Sequence, residues 1–142
     1  MFNFQEKRGK IMKIKKMLFA LLIIATTLSF SACSKKVSDE KYLGEWLDQD
    51  VNEPGLTISK NNDNTYSVII SIYRLTYIDD GIGTLTNDGL TFKATDANGN
   101  PISGIITIDA QEKEATVKFT DSTWGYINNG DTFTYVRSYI NN

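Results

Sequence analysis

The ionisable side chains of this chain suit turns better than catalysis. Its 142 residues include 17 Asp and Glu but no histidine. Without histidine, the chain lacks a Ser-His-Asp or Cys-His catalytic group and a His-ligated zinc or iron site. Aspartates recur in predicted turns, where a carboxylate accepts hydrogen bonds from backbone N–H groups; these are Asp63, Asp79, Asp80, Asp88, Asp96 and Asp131. Their spacing singles out no carboxylate pair of the kind that a glycosidase needs, so we predict that the protein is not an enzyme.

One acidic segment has the spacing of a calcium-binding loop. Asp96, Asn98 and Asn100 alternate with other residues, as the oxygen ligands of such a loop do. However, Pro101 stands where the loop needs glycine, and no acidic residue follows at the distance of the bidentate ligand. The segment is therefore predicted to be a turn, and we expect the protein to use no metal and no cofactor.

Cys33 is the only cysteine of the chain, and Phe30-Ser31-Ala32 precede it. Further upstream, the lysine-rich residues 13–16 are followed by an apolar segment over residues 17–30. This order is typical of a secretion signal, whose cationic start stays in the cytoplasm while the apolar part enters the membrane. The apolar segment has 14 residues, whereas a transmembrane helix needs about 20. An uncleaved anchor helix is the alternative.

The residues around Cys33 resemble a bacterial lipoprotein signal. Such a signal implies that Cys33 carries a diacylglyceryl thioether and becomes the N-terminus after cleavage. We therefore expect a signal peptide over residues 1–32, a lipidated tether over residues 33–41 and a β-barrel domain over residues 42–142. The resemblance implies a lipid-anchored protein at the cell membrane or outer membrane, facing away from the cytoplasm. Lipidation also removes a free thiol that would be exposed to an oxidising compartment.

The charge of the chain changes once the predicted signal peptide is set aside. Residues 1–32 carry six of the 15 Lys and Arg and one of the 17 Asp and Glu. Residues 33–142 therefore keep nine basic and 16 acidic residues, a net charge of −7. Proteins that bind nucleic acid contact its phosphates through clustered Lys and Arg, so we expect no nucleic-acid partner. The expected partners are the membrane, through the lipid on Cys33, and a protein or a small ligand.

From residue 42 onward, apolar and polar residues alternate in short segments that Asn, Asp and Gly interrupt. This pattern predicts successive antiparallel strands joined by turns. The predicted strands cover residues 42–47, 56–58, 65–77, 82–86, 90–95, 102–109, 115–121 and 132–139. The third segment is long for one strand, so we expect a bend near Tyr73 and Arg74. A turn over residues 79–81 is predicted to follow it.

About eight strands in simple succession predict an all-β fold, a small antiparallel up-and-down β-barrel. A β-sandwich is the alternative, and it would need longer connections between its two sheets. Gly44 and Trp46 in the first strand, with Arg137 in the last, resemble the signature of lipocalin-like (calycin) barrels. The resemblance implies that Trp46 closes one end of the barrel and that Arg137 lies over its ring as a structural lock. Alternatively, Trp46 is an ordinary core aromatic.

Two clusters of aromatic residues are candidate binding surfaces. The first consists of Trp124, Tyr126 and Ile127 in the polar loop over residues 122–131, since flat rings supply contact area and Asn or Asp supplies hydrogen bonds. Alternatively, Trp124 and Ile127 fold back as a lid over the barrel. The second cluster consists of Tyr73, Arg74 and Tyr77. Its alternative role is packing on the outer face at a strand bend.

Two functions of a non-catalytic binding module remain open. In one, loops at the barrel rim bind a protein, either an envelope protein or a foreign hydrolase to be inhibited. In the other, a lipocalin-like barrel carries a small apolar or amphipathic ligand. The predicted inward residues of such a cup are Tyr66, Val68, Ile70, Phe92, Ile106, Phe119 and Tyr135. Because these side chains are large and the barrel is short, we favour the protein partner.

Overall fold

Residues 38–138, which the computed structural model describes, form a closed antiparallel β-barrel. Its eight strands are β1 (Gly44–Asp48), β2 (Glu53–Lys60), β3 (Tyr66–Ile72), β4 (Thr76–Leu85), β5 (Leu90–Thr95), β6 (Pro101–Ile108), β7 (Glu114–Asp121) and β8 (Thr132–Arg137). A 3₁₀ turn over Glu40–Tyr42 precedes β1. The predicted all-β barrel is confirmed. The predicted signal peptide and the lipidation of Cys33 lie outside the described residues.

The sheet closes through its first and last strands. Each strand pairs with the next one along the chain, and β1 also pairs with β8. The closing pairs are Trp46 with Arg137 and Leu47 with Val136. Since a sandwich consists of two separate sheets, this closure excludes the alternative of a β-sandwich.

Alternation along each strand sends one set of side chains into the barrel. In β3, for example, Tyr66, Val68, Ile70 and Ile72 are buried, while the residues between them are only partly buried. Many inward side chains are large and fully buried: Trp46, Leu56, Ile58, Leu90, Phe92, Ile102, Ile106, Phe119 and Tyr135. A side chain on Gly104 would lie 2.6 Å from the ring of Phe92. Hence the residues at these positions occupy the interior.

The strand predicted over residues 65–77 is two strands, β3 and β4, joined by a tight turn. The N–H of Leu75 donates to the C=O of Ile72 at 2.9 Å, and Arg74 has a left-handed φ of 59°. The bend predicted near Tyr73 and Arg74 is therefore a complete reversal of the chain. No turn signal marks this reversal, because it contains no Gly, Pro, Asn or Asp.

The turn predicted over residues 79–81 is wrong, because β4 continues through them. Val68 pairs with Gly81 whereas Ile70 pairs with Ile78, so β4 has one more residue than β3 in this interval. A Cβ atom on Gly81 would clash with the carbonyl oxygen of Val68. The Asp-Asp-Gly sequence therefore forms a β-bulge, in which glycine permits the close approach of two strands.

The connections between strands gather at two ends of the barrel. One end, which we call the lock end, contains the start of β1, the end of β8 and the turns over residues 61–65, 86–89 and 109–113. The opposite end, which we call the loop end, contains the connections over residues 49–52, 73–75, 96–100 and 122–131. The two predicted binding clusters therefore lie at the same end, away from the point where the chain enters the barrel.

Candidate functional site

At the lock end, Trp46 and Arg137 are neighbours on adjacent strands. The indole of Trp46 is fully buried, and the guanidinium of Arg137 lies 3.9 Å from the centre of its ring. An arginine in this position has a favourable cation–π interaction with the indole. The indole N–H donates to the C=O of Tyr42 at 3.1 Å, so its polar atom is satisfied despite burial.

Arg137 also ties down the segment that leads into β1. Its Nη1 donates to the C=O of Leu43 at 2.9 Å, and its Nη2 donates to the C=O of Lys41 at 2.6 Å. Gly44 follows this segment with a φ of +107°, a value that glycine adopts more readily than other residues. The strand closure and the path of the incoming chain are therefore held by the same side chain.

A polar cluster of Asp39, Lys60 and Tyr66 fixes the chain just before the 3₁₀ turn. One carboxylate oxygen of Asp39 accepts hydrogen bonds from Lys60 at 2.6 Å and from the hydroxyl of Tyr66 at 2.8 Å. The bond from Lys60, followed by that from Tyr66, lowers the pKa of Asp39 to about 2. This cluster was not predicted, because its residues share no motif. The only available signal is that Lys60 and Tyr66 flank the β2–β3 turn and pair across it.

At the loop end, the aromatic cluster of residues 122–131 divides into buried and exposed parts. Trp124 and Ile127 belong to the buried core, whereas the side chain of Tyr126 is 71% exposed. The rings of Trp124 and Tyr126 meet edge to face at 5.3 Å. Trp124 and Ile127 therefore fold back onto the barrel, as the lid interpretation expects. Tyr126 is the aromatic side chain of this cluster that a partner can contact.

Polar groups of the same loop fix its conformation. The carboxylate of Asp131 accepts from the backbone N–H of Asn128 at 2.7 Å. The side-chain oxygen of Asn129 accepts from the backbone N–H of Ser122, also at 2.7 Å. These bonds bridge the loop internally, so Tyr126 projects from a defined support.

The predicted cluster of Tyr73, Arg74 and Tyr77 is also exposed at the loop end. Tyr73 is 50% exposed and Tyr77 is 63% exposed. The guanidinium of Arg74 lies 4.9 Å from the centre of the Tyr73 ring. The β3–β4 turn and the start of β4 thus present two aromatic rings and a cation to solvent, rather than packing them against the barrel.

The segment with calcium-loop spacing is a turn. One carboxylate oxygen of Asp96 accepts from the backbone N–H groups of Asn98 and Asn100, at 2.8 and 2.9 Å. Burial by itself raises the pKa of Asp96, but the bonds from Asn100 and Asn98 outweigh it, and the pKa is lowered. Within residues 38–138, no group of three or more His, Cys, Asp and Glu side chains is arranged to hold a metal ion.

The predicted cup lining is buried, and a groove lies on the outer face. Tyr66, Val68, Ile70, Phe92, Ile106, Phe119 and Tyr135 are each at most 3% exposed. The groove has a volume of about 430 Å³ and extends over β4 to β7. Its lining consists of Ile82, Thr84, Thr91, Phe92, Lys93, Ser103, Gly104 and Thr120. Most of these residues occupy outward-facing positions of the strands. The groove therefore lies outside the barrel and does not open into its interior.

Comparison of this chain with models of protein families, with curated proteins and with solved structures returned no match. In the described part of the chain, no helix has both the length and the apolar character needed to cross a membrane.

Proposed function

We propose that the protein is a lipid-anchored extracytoplasmic lipoprotein with a calycin-like barrel that binds another protein through its loop end and catalyses no reaction. One observation carries the proposal. Tyr73, Tyr77 and Tyr126 are exposed at or beside the loop end, while the inward positions of the barrel hold large side chains. Tyrosine provides rigid contact area at low entropic cost, which is why it is enriched at protein interfaces.

The anchor is supported by the sequence before the barrel. The residues around Cys33 resemble a lipoprotein signal, and only residues 34–38 separate Cys33 from Asp39. A chain of that length spans at most about 20 Å. Because Lys60, Tyr66 and Arg137 fasten residues 39–43 at the lock end, we infer that the loop end faces away from the membrane.

A protein partner has more support than a small ligand. A carrier would need an internal site of a few hundred Å³, and the residues predicted to line it are buried against one another. At the loop end, by contrast, the exposed Tyr73 lies beside Arg74, and the exposed Tyr126 shares its loop with Asn128 and Asp131. The ligand carrier therefore has no observation in its favour among the described residues.

Site-specific photo-crosslinking in intact cells tests the proposal. A photoreactive residue is placed at Tyr73 or Tyr126 of the loop end and, as matched exposed controls, at Asn62 or Asp88 of the lock end. We expect the loop-end positions to yield a discrete crosslinked protein and the lock-end positions to yield none. Equal crosslinking from both ends, or from neither, would contradict binding through the loop end.

The anchor is tested separately with Cys33→Ala. We expect this variant to lose its lipid, as measured by mass spectrometry, and to leave the membrane fraction. Cys33→Ala protein that remains in the membrane would instead indicate an uncleaved anchor helix.

A further inference from the structure

Strand β8 is hydrogen-bonded along its whole length on one side and along only part of it on the other. Towards β7, the pairing runs from Thr132 to Val136. Towards β1, it is limited to Val136 and Arg137. The barrel is therefore closed near the lock end, whereas β8 continues towards the loop end without a paired strand on its β1 side.

The bonds at the two ends of β8 show where its backbone groups point. The C=O of Asp131 accepts from the N–H of Phe119 in β7, and the N–H of Ser138 donates to the C=O of Glu45 in β1. Successive residues of a strand direct their backbone groups to opposite sides. Odd-numbered residues of β8 therefore bond to β7, and even-numbered residues face β1.

Thr132 and Thr134 consequently present two N–H and two C=O groups on the β1 side. Among the residues that the structure describes, these four groups have no hydrogen-bond partner there. Both threonines are exposed. Sheet edges are commonly protected by lysine or proline, and the stretch from Thr132 to Val136 contains neither. We call this part of β8 the open edge.

We propose that the open edge binds an extended segment of a partner protein by β-strand addition. Unpaired N–H and C=O groups at alternate residues match the backbone of an added strand, which bonds through the main chain. A helix cannot provide these bonds, because its backbone groups are already paired. This inference rests on the proposed function, and it specifies how the partner is held at the loop end.

The charges around the open edge define the class of segment that fits. Asp131 immediately precedes β8. In the β1–β2 hairpin, Asp48 follows Leu47, the residue that pairs with Val136, and Asp50 lies in the turn. Lys118 of β7 pairs with Thr132, but the three carboxylates of Asp48, Asp50 and Asp131 outnumber it around the edge, so the segment carries Lys or Arg. A second copy of this acidic chain fits less well.

Hydrogen exchange with a synthetic peptide tests the inference directly. The probe is a short peptide of alternating lysine and valine, added to protein purified from cell membranes in detergent. We expect the exchange of the Thr132 and Thr134 amides to slow about tenfold, as a modest net hydrogen bond predicts. The Phe133 amide faces β7 and serves as the internal reference, since its exchange should not change.

Two peptide controls separate main-chain pairing from charge. A lysine–valine peptide with N-methyl groups on alternate backbone nitrogens should give no protection of Thr132 and Thr134. A glutamate–valine peptide should bind about tenfold more weakly at low salt. Equal protection by the N-methylated peptide, or no protection by the lysine peptide, overturns the inference.

A substitution at the edge provides the second readout. Thr134→Pro removes an N–H that β7 does not use, and proline is tolerated at an edge position facing solvent. We expect its affinity for the lysine peptide to fall about tenfold, while Thr134→Val keeps the N–H and binds as the wild type does. If Thr134→Pro does not fold, Thr132→Pro at the first residue of β8 replaces it. Unchanged binding by a folded proline variant overturns the inference.

Two outcomes separate this inference from others. If crosslinks from Tyr126 persist while the peptide protects nothing, the proposed function stands and strand addition is wrong. If Thr132 and Thr134 are protected without peptide, in proportion to protein concentration, a second copy occupies the edge and the inferred partner is wrong.

Discussion

The two ends of the barrel hold the chain in different ways. At the lock end, Arg137 bonds the carbonyls of Lys41 and Leu43 and lies over Trp46. The Asp39 carboxylate adds bonds from two further strands. At the loop end, tyrosines project into solvent and part of β8 lacks a paired strand on its β1 side. Closure of the barrel and attachment of the incoming chain are therefore concentrated at one end, while the other end exposes aromatic rings to solvent.

The largest expected difference between the ends concerns two aromatic residues. Trp46→Ala empties a fully buried position, so it should lower the free energy of unfolding by about 3–5 kcal/mol. Tyr126→Ala removes an exposed ring and should change it by less than about 0.5 kcal/mol. Urea unfolding of both variants measures the difference. Similar losses for both would remove the contrast between the ends.

A smaller difference is expected for two arginines that each lie over an aromatic ring. Arg137→Lys loses the planar fork that bonds two carbonyls, so it should destabilise the barrel by about 1–3 kcal/mol. Arg74→Lys retains a cation beside the exposed Tyr73 and should cost at most about 0.5 kcal/mol. The same unfolding experiment tests the pair. If Arg74→Lys costs as much as Arg137→Lys, the lock is not specific to its end.

Acid should weaken the lock end through Asp39. Its pKa is lowered from 3.8 to about 2, so the folded state favours the carboxylate more than the unfolded state does. The resulting stabilisation is fully present above about pH 4 and is lost as the pH falls towards about 2. We expect Asp39→Asn to be less stable than the wild type at pH 7, with a difference that shrinks over this interval.

Thermal unfolding at a series of pH values measures this effect, and a partner substitution controls it. Lys60→Met removes the main donor to Asp39, so it should flatten the same acid response. The double variant Asp39→Asn/Lys60→Met should lose little more than Asp39→Asn alone. Additive losses would show that the two residues act independently.

The sequence was sufficient to predict the barrel. One hairpin, formed by β3 and β4, was misplaced. Alternation and short polar turns predicted eight strands in succession, because side-chain period and loop length are local properties. The β3–β4 reversal was misplaced because Arg74 adopts a positive φ without a typical turn residue, whereas the Asp-Asp-Gly segment is a bulge. A bulge depends on the register of the partner strand, which the local sequence does not contain.

The candidate site was only partly predictable for the same reason. The tyrosines of both clusters could be selected as aromatic residues in polar surroundings. The burial of Trp124 and the exposure of Tyr126, two residues apart, depend on the path of the loop across the barrel. The open edge of β8 depends on where the β1–β2 hairpin ends relative to β8. Both are properties of tertiary structure, so no residue pattern identifies them.

Binding through the loop end is tested by the affinity of the crosslinked partner for two double variants. Tyr73→Ser/Tyr126→Ser alters the loop end, and Asn62→Ser/Asp88→Asn alters exposed turns of the lock end. We predict that the loop-end variant binds the partner at least about tenfold more weakly than the wild type, while the lock-end variant binds equally well. Unchanged affinity of the loop-end variant, or a greater loss in the lock-end variant, would show that the partner does not bind through the loop end.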